Sequence, residues 1–502
     1  MLIRIEEITF ALNEDESTLK QKAANILQVK IEDFLFFEIV KKAIDSRKKS
    51  DILIVYSVNI DLNNEKVLNN KSAKFQNFVK KHKIRLIEPF IYDIKKIDNS
   101  KIQKRPIIVS GPALLALHLA LVANPIIIER SKVEERVVQV HNFFTKELNE
   151  ESNVQFGEAT FSDGKLYTLV NDPRSKFIFQ AFVDAAPEEI IYSARPHITD
   201  RLRVVRNLRK RIISLEIRFD TKLTHINTQN NKIKSIIVNE KEEIETDDLI
   251  IAIHSARDTY ELLYNILEIK QKPFAVVRIE HPREMINKAQ FGESCTHIKL
   301  PTANYKLVSH NEVRSVYTFC MCPGHVVNAS SQKKLTVNMS EYKQNSINSN
   351  RALLVSILPS DFPSEHPLAV DFQIELEKKA FEVGGKYFAP AQKVGDFLAI
   401  PSKELSIDTT FKPLTMTDLT LVLPSFVTDA LKKALIEFDK KIPFAKDAIL
   451  IRVESRTSRV IRMMRNDKCE SNIVIYPAGE AYAITSSSID LIVAENIVNK
   501  YL

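Results

Sequence analysis

The sequence predicts an α/β protein built around a parallel sheet, with a small α+β module ahead of it and a β-rich domain inserted into it. Three observations carry that expectation. Residues Arg105 to Arg130, RPIIVSGPALLALHLALVANPIIIER, read as strand, tight turn, apolar helix and second strand. Two later stretches, DLIIAI at Asp248 to Ile253 and the strand–turn–helix from Ile473 to Lys500, carry short apolar strands of the kind a parallel sheet buries on both faces. From Pro273 to Pro390 the texture changes to many short strands such as FAVVRIEH, VYTFCMC and ALLVSILP.

Taken in order, Leu2 to Phe10 reads as a strand and Asp15 to Leu27 as a helix. Ile31 to Ala43 reads as a helix or helix–strand element, and Asp51 to Leu62 (DILIVYSVNIDL) as a well-patterned strand. A lysine-rich helix at Lys71 to Lys81 completes the module. The βαβ stretch follows, with strands at Pro106 to Val109 and Pro125 to Ile128. Next come a charged helix at Lys132 to Leu148 and a polar loop at Asn153 to Thr168. A helix at Ser175 to Ala185 leads to a meander at Glu216 to Phe219, Thr221 to Gln229 and Lys232 to Asn239, turning at Asn230-Asn231. After Gly395 helices are expected at Met416 to Leu423 and Val427 to Phe438. The expected division is 1–100, 101–265, 266–394 and 395–502, the last closing the sheet domain opened by the second.

Bulk composition narrows the function classes. The 44% apolar content supports a large core, and 502 residues allow about two to four domains. A net charge of +7 on 71 basic and 64 acidic side chains is mild, and the basic run Arg201 to Arg211 reads as a solvated helix face. Nucleic acid is therefore not an expected partner. Four cysteines do not make a disulfide framework. No charge-free apolar run reaches membrane-spanning length and no signal peptide is apparent at Met1 to Phe10, so a cytoplasmic protein with no membrane partner is expected. Glycine is scarce: nine residues, about 2% against a usual ~7%. Positions that need positive φ must then fall to Asn, Asp or Ser.

The βαβ stretch has the plan of a dinucleotide-binding unit. A helix N-terminus offers N–H groups to a pyrophosphate, and the second strand ends on Glu129, whose carboxylate can accept from ribose hydroxyls. Of the glycine fingerprint G-x-G-x-x-G only the middle position is kept, as Gly111; Val109 and Leu114 stand at the other two. Such a stretch also serves as a plain buried βαβ unit. Cys295 with His297, and Cys320 with Cys322, form C-x-H and C-x-C pairs without the loop spacing of common zinc sites, and read as packing residues. His281 reads as structural, and Arg278 and Lys165 as plausible contacts for a substrate carboxylate or an NAD(P)H phosphate.

Several long motifs together resemble a bacterial family of FAD-dependent dehydrogenases, or NAD(P)/FAD-dependent oxidoreductases. They are NVQFGEATFSDGKL (153–166), AIHSARDT (252–259), VRIEHPREMINKAQFG (277–292), YTFCMCPG (317–324), APAQKVGDF (389–397) and IYPAGEAYAITSSSIDLIVAENI (475–497). The resemblance implies a two-dinucleotide-binding-domain-like flavoprotein fold, with FAD as cofactor, NAD(P)H as a candidate electron donor and a small-molecule substrate. It would set Ser110, Gly111, Pro112 and Ala113 at the pyrophosphate, and Glu129 with Arg130 at the adenosine ribose. Phe161, Ser162, Gly164 and Lys165 would lie along the flavin, with Ser255 in the AIHSARD motif also at the cofactor. Gly479 and Glu480 would meet the ribityl-pyrophosphate region, and Ile484 and Thr485 would begin the last helix. The departures concern glycine: the family shows G-x-G-P-A-G at 109–114 and a glycine-rich run at 479–484, where this chain is shorter and bulkier. A flavin-free scaffold that keeps the fold is the alternative.

Overall fold

The computed structural model describes residues 2–63, 83–88, 97–109, 124–130, 215–252, 274–310, 313–323, 326–332, 335–340, 347–361, 368–386, 388–400, 414–443, 448–452, 461–464, 475–477 and 487–502, with isolated residues among 79–92, 174–210 and 262–271. Those residues form a mixed α/β structure with several sheets.

The N-terminal unit is a four-stranded antiparallel sheet in the order Phe34–Asp45, Leu53–Leu62, Leu2–Ala11, Ile84–Leu86. In the first strand Ile3 and Ile5 are buried, then Ile8 and Phe10, a shift of phase by one residue. The shift is a β-bulge around Glu7, which stands at φ 61°, and it keeps both halves of the strand facing the core. Helix Leu19–Leu27 closes over this face with Leu19, Ala23, Ala24 and Leu27. It ends in a left-handed cap at Gln28, where the N–H groups of Gln28 and Val29 satisfy the carbonyls of Asn25 and Ala24. The run FLFFEIV, expected as helix or helix–strand, is a strand after a short 3-10 turn at Ile31–Asp33. Its aromatic and β-branched residues suit the pleated edge position it occupies.

A five-stranded sheet runs in the order Ile475–Pro477, Leu249–Ile251, Ile107–Val109, Ile126–Ile128, Glu216–Arg218, every neighbouring pair parallel. The nine residues of the three central strands are all buried, as expected where both faces are covered. The chain starts at Ile107–Val109, builds outward through the next two strands, and then returns to the other side of its starting strand. The reversal between Ile107–Val109 and Leu249–Ile251 is a topological switch point. Before that return the chain forms a three-stranded antiparallel meander, Leu223–Gln229, Lys232–Val238 and Glu242–Glu245. Its two turns use Asn230-Asn231 (φ 50° and 55°) and Asn239-Glu240 (φ 51° and 59°), residues doing what glycine does elsewhere. The last helix, Ser487–Tyr501, buries Val493, Ala494, Ile497 and Val498, and Lys500 pairs with the buried Asp248 that precedes Leu249.

The third unit is a seven-stranded sheet in the order Val308–His310, Ser315–Pro323, Asn348–Ser356, Phe274–Pro282, Ile449–Ile451, Ala389–Lys393, Leu414–Met416. It is antiparallel except for its last pair. The sheet runs past residue 394, where the sequence alone suggested that the β-rich unit ends. Helix Ser425–Asp439 packs Val427, Leu431, Ala434, Leu435 and Phe438 into a core shared with Val277, Ile279, Leu353, Val355 and Leu450 of the sheet. Residues 416–423 are not the expected helix. They are the end of a strand and a single 3-10 turn, Leu419–Leu421, capped by the Asp418 carboxylate accepting from the Thr420 N–H at 2.9 Å. A separate antiparallel pair, Ile269–Gln271 with Ile461–Met463, lies on the two segments that join this sheet to the parallel one. The expected helices at 71–81, 132–148, 175–185 and 201–211 lie almost wholly outside the described residues.

Glu240 has neither glycine's freedom nor the local hydrogen bonding that lets Asn tolerate positive φ. Glu240→Gly is expected to raise unfolding stability by about 0.5–1 kcal/mol, whereas Glu240→Ala gives no gain. Urea midpoints of the three proteins check this.

Candidate functional site

The carboxyl ends of four parallel strands share one row of the sheet: Ile251 is in register with Pro477 and with Val109, and Val109 with Ile128. Only Leu249–Ile251 separates the C-terminal strand from Ile107–Val109, so the two ends stand two inter-strand spacings apart, about 10 Å. The ladder continues past the row, with the Ala252 N–H donating to the Val109 carbonyl at 3.1 Å. Glu129 follows Ile128 directly and is 7% exposed. Its N–H donates to the Arg218 carbonyl at 2.8 Å and its carbonyl accepts from Thr221 at 3.0 Å, which fixes its backbone at the sheet's carboxyl edge. Arg130 follows, half-buried. Of the residues expected around a cofactor, these two are described. Ser110, Gly111, Pro112, Ala113, Phe161, Ser162, Gly164, Lys165, Ser255, Gly479, Glu480, Ile484 and Thr485 lie outside the described residues.

A second polar cluster crosses the middle of the seven-stranded sheet. Strand alternation and register put Arg278 and Glu280 on one face with Asn348 and Asn350 of the neighbouring strand. The Arg278 Nη1 donates to Asn350 Oδ1 at 3.0 Å, and Asn348 Nδ2 donates to Glu280 Oε1 at 2.7 Å. All four residues are buried. The Glu280 carboxyl is pushed up to about 7 by burial, against which the Asn348 hydrogen bond acts weakly; among the described residues its Oε2 has no partner. A carboxyl that holds its proton near neutrality can give or take one there.

The opposite face holds His281, Tyr305 and Arg351. The His281 ring nitrogens lie 3.3 Å from the Pro282 carbonyl and 3.2 Å from the Tyr305 hydroxyl, and the Arg351 guanidinium sits 4.5 Å from the centre of the Tyr305 ring. Burial, with Arg351 as a smaller cause, pushes His281 down to about 4, so this fully buried ring is neutral at physiological pH. Its place is within the packing, as its sequence context suggests. Cys295 is a free, half-buried thiol against the same core. In strand Ser315–Pro323 the register shifts between Phe319 and Met321.

Sequence reading singled out Arg278 but passed over Glu280, Asn348, Asn350 and the fully buried Arg452. The available signal was a charge inside an otherwise unbroken apolar strand, as in FAVVRIEH and AILIRV.

Residues 273–457 match a protein family described as FAD-dependent protein, C-terminal domain-like, an interval that takes in all seven strands of the large sheet. Residues 2–61, most of the N-terminal sheet, match a domain of unknown function. An uncharacterised protein of Clostridium beijerinckii is 40% identical over 548 aligned positions that cover all of this chain and 99% of that protein; the chain belongs to the same family. The alignment is longer than the chain, so the clostridial protein has residues where this one has none. Among solved structures, CtdE in complex with FAD and a substrate is 12% identical at a TM-score of 0.33, over 79% of this chain and 80% of that one. A probable FAD-dependent monooxygenase of Pseudomonas aeruginosa, pqsL, is 10% identical at 0.31, over 79% and 84%. Likenesses this loose transfer no residue's role.

Because the folded Glu280 keeps its proton to about pH 7 while an unfolded one ionises near 4.5, its contribution is full below pH 4.5 and is lost as the pH rises through 7. Relative to Glu280→Gln, wild-type stability is expected to fall across that window by on the order of 3 kcal/mol and then to level off. Urea unfolding at several pH values measures it, and parallel profiles for the two proteins would refute the assignment.

Proposed function

We propose that the protein is an FAD-dependent oxidoreductase, passing hydride between the flavin and an organic substrate or NAD(P)H. The observation that carries this reading is the parallel sheet: its strand order sets a switch point beside Val109 and brings the C-terminal strand one position beyond. Open α/β sheets take nucleotides at the carboxyl ends of their strands at such a point. The described residues fit the adenosine half of the cofactor. Glu129 presents a nearly buried carboxylate at the end of the second strand, where it would accept from ribose hydroxyls, with Arg130 next to it. Ser110, Gly111, Pro112 and Ala113 would offer backbone N–H groups to the pyrophosphate, and Gly479 and Glu480 would meet it from the C-terminal strand. Bound there, the flavin supplies the redox chemistry; the protein binds it, orients it and tunes it. The seven-stranded sheet, which lies within the matched FAD-dependent C-terminal domain, would form the substrate side. On it Glu280 would hold a proton at its Oε2 for exchange with a bound molecule.

One observation favours the flavin-free scaffold. Val109, which stands where the family has its first glycine, is a buried strand residue paired on both sides, in register with Ile251 and Ile128.

A titration of the purified chain with FAD separates the two. The flavoprotein reading expects yellow protein with bound visible absorbance and a melting temperature raised by the ligand. It also expects Glu129→Ala to weaken FAD binding about tenfold or more, the loss of a charge-assisted hydrogen bond. Protein that stays colourless in excess FAD, with no thermal shift, would leave the scaffold reading standing.

A further inference from the structure

Arg452 directly follows strand Ile449–Ile451, and its N–H still bonds the Pro390 carbonyl at 3.0 Å, so its backbone is held by the ladder. Its side chain is 0% exposed and is among the largest wholly buried in the protein. Among the described residues, its Nε, Nη1 and Nη2 have no hydrogen-bond partner. Burial depresses its pKa, to about 9.

Other arginines of the same sheet are provided for. Arg278 bonds Asn350, and Arg351 bonds Asn304 and covers the Tyr305 ring. Arg314 forks onto both oxygens of Asp361 and stacks on Phe426. Against that background Arg452 is an uncompensated cation in a medium that does not tolerate one. A guanidinium does not escape by losing its proton as an amine does. Among the described residues nothing satisfies it, and an anion from outside the chain would.

The charge and shape of the group narrow that anion. A single guanidinium offers one positive charge and a planar fork of parallel N–H groups, which match a carboxylate in both charge and geometry. A phosphate dianion in the same place would leave net charge buried. Arg452 stands where the chain leaves the seven-stranded sheet for the parallel one, one residue past Ile451, which is in register with Arg278; alternation therefore sets its side chain on the face opposite Arg278 and Glu280.

We propose that Arg452 is the anchor of a site for a carboxylate-bearing organic molecule, its guanidinium taking the carboxylate through two parallel hydrogen bonds. Only the description of that molecule as the substrate rests on the flavoprotein reading; the site itself does not.

The test is thermal melting of the full chain with no flavin added, so that its outcome is independent of the FAD titration. The probes are sodium benzoate and sodium acetate, set against sodium chloride of equal ionic strength, inorganic phosphate and NADPH. Benzoate or acetate is expected to raise the wild-type melting temperature by about 2–5 °C at a hundredfold excess over its Kd, with no rise in chloride. Arg452→Met, which removes the buried charge but keeps most of the volume, is expected to melt at or above the wild-type temperature without ligand and to lose the carboxylate response. Three results would overturn the proposal. They are no carboxylate shift in the wild type, an equal shift in Arg452→Met, and a shift that depends on Arg452 but is given by phosphate or NADPH alone.

Discussion

The structure depends on one pairing: strand Leu249–Ile251 held in parallel between Ile107–Val109 and Ile475–Pro477. It joins three segments far apart in sequence. The hydrogen bonds of the ladder contribute about 0.5–1.5 kcal/mol each, whereas burying each aliphatic side chain is worth roughly 1.5–3 kcal/mol. Burial therefore dominates, and it does so because Leu249, Ile250 and Ile251 are all 0% exposed. Glu129 takes its backbone position from this sheet.

The two large sheets treat polarity in opposite ways. The parallel sheet is apolar through its three central strands and leaves its charged groups to the strand ends. The seven-stranded sheet carries charge through its middle, with Arg278 and Glu280 buried on one face and Arg351 on the other. Asn348 and Asn350 make this tolerable for Arg278 and one oxygen of Glu280, since neutral amides can serve as donor to one and acceptor to the other. What they leave unserved, the second Glu280 oxygen, is the part of the cluster with chemistry still open to it.

Much of the fold was legible because its signals are local. The short isoleucine-rich runs at 107–109, 126–128 and 249–251 could only be buried strands, and Asn230-Asn231 between two alternating segments could only be a tight turn. Glu129 was legible for the same reason, as a carboxylate closing an apolar strand. Residues 31–43 stayed open between a helix and a helix–strand element because an edge strand facing solvent on part of its surface, with Leu35 and Phe36 exposed, blurs the alternation that identifies a strand. Residues 416–423 were misread because Leu419, Val422 and Leu423 are spaced like a helix face while the capped 3-10 turn holds them. Glu280 and Arg452 were legible only as charges interrupting apolar strands. Whether a charge in a strand is solvated or buried is decided by the strands and helices that cover it, and these come from distant sequence.

The order of the central pairing has a consequence for how the protein is made. Leu249–Ile251 leaves the ribosome well before Ile475–Pro477, and the whole seven-stranded unit is synthesised in between. During that interval one side of a wholly apolar strand has no neighbour, the kind of open edge that recruits other nascent chains. The N-terminal module and the seven-stranded sheet can form from contiguous or nearly contiguous chain, but the parallel sheet must wait. Slow or interrupted translation over the more than two hundred residues that separate those strands would then lower yield through aggregation, without altering the stability of chains that finish.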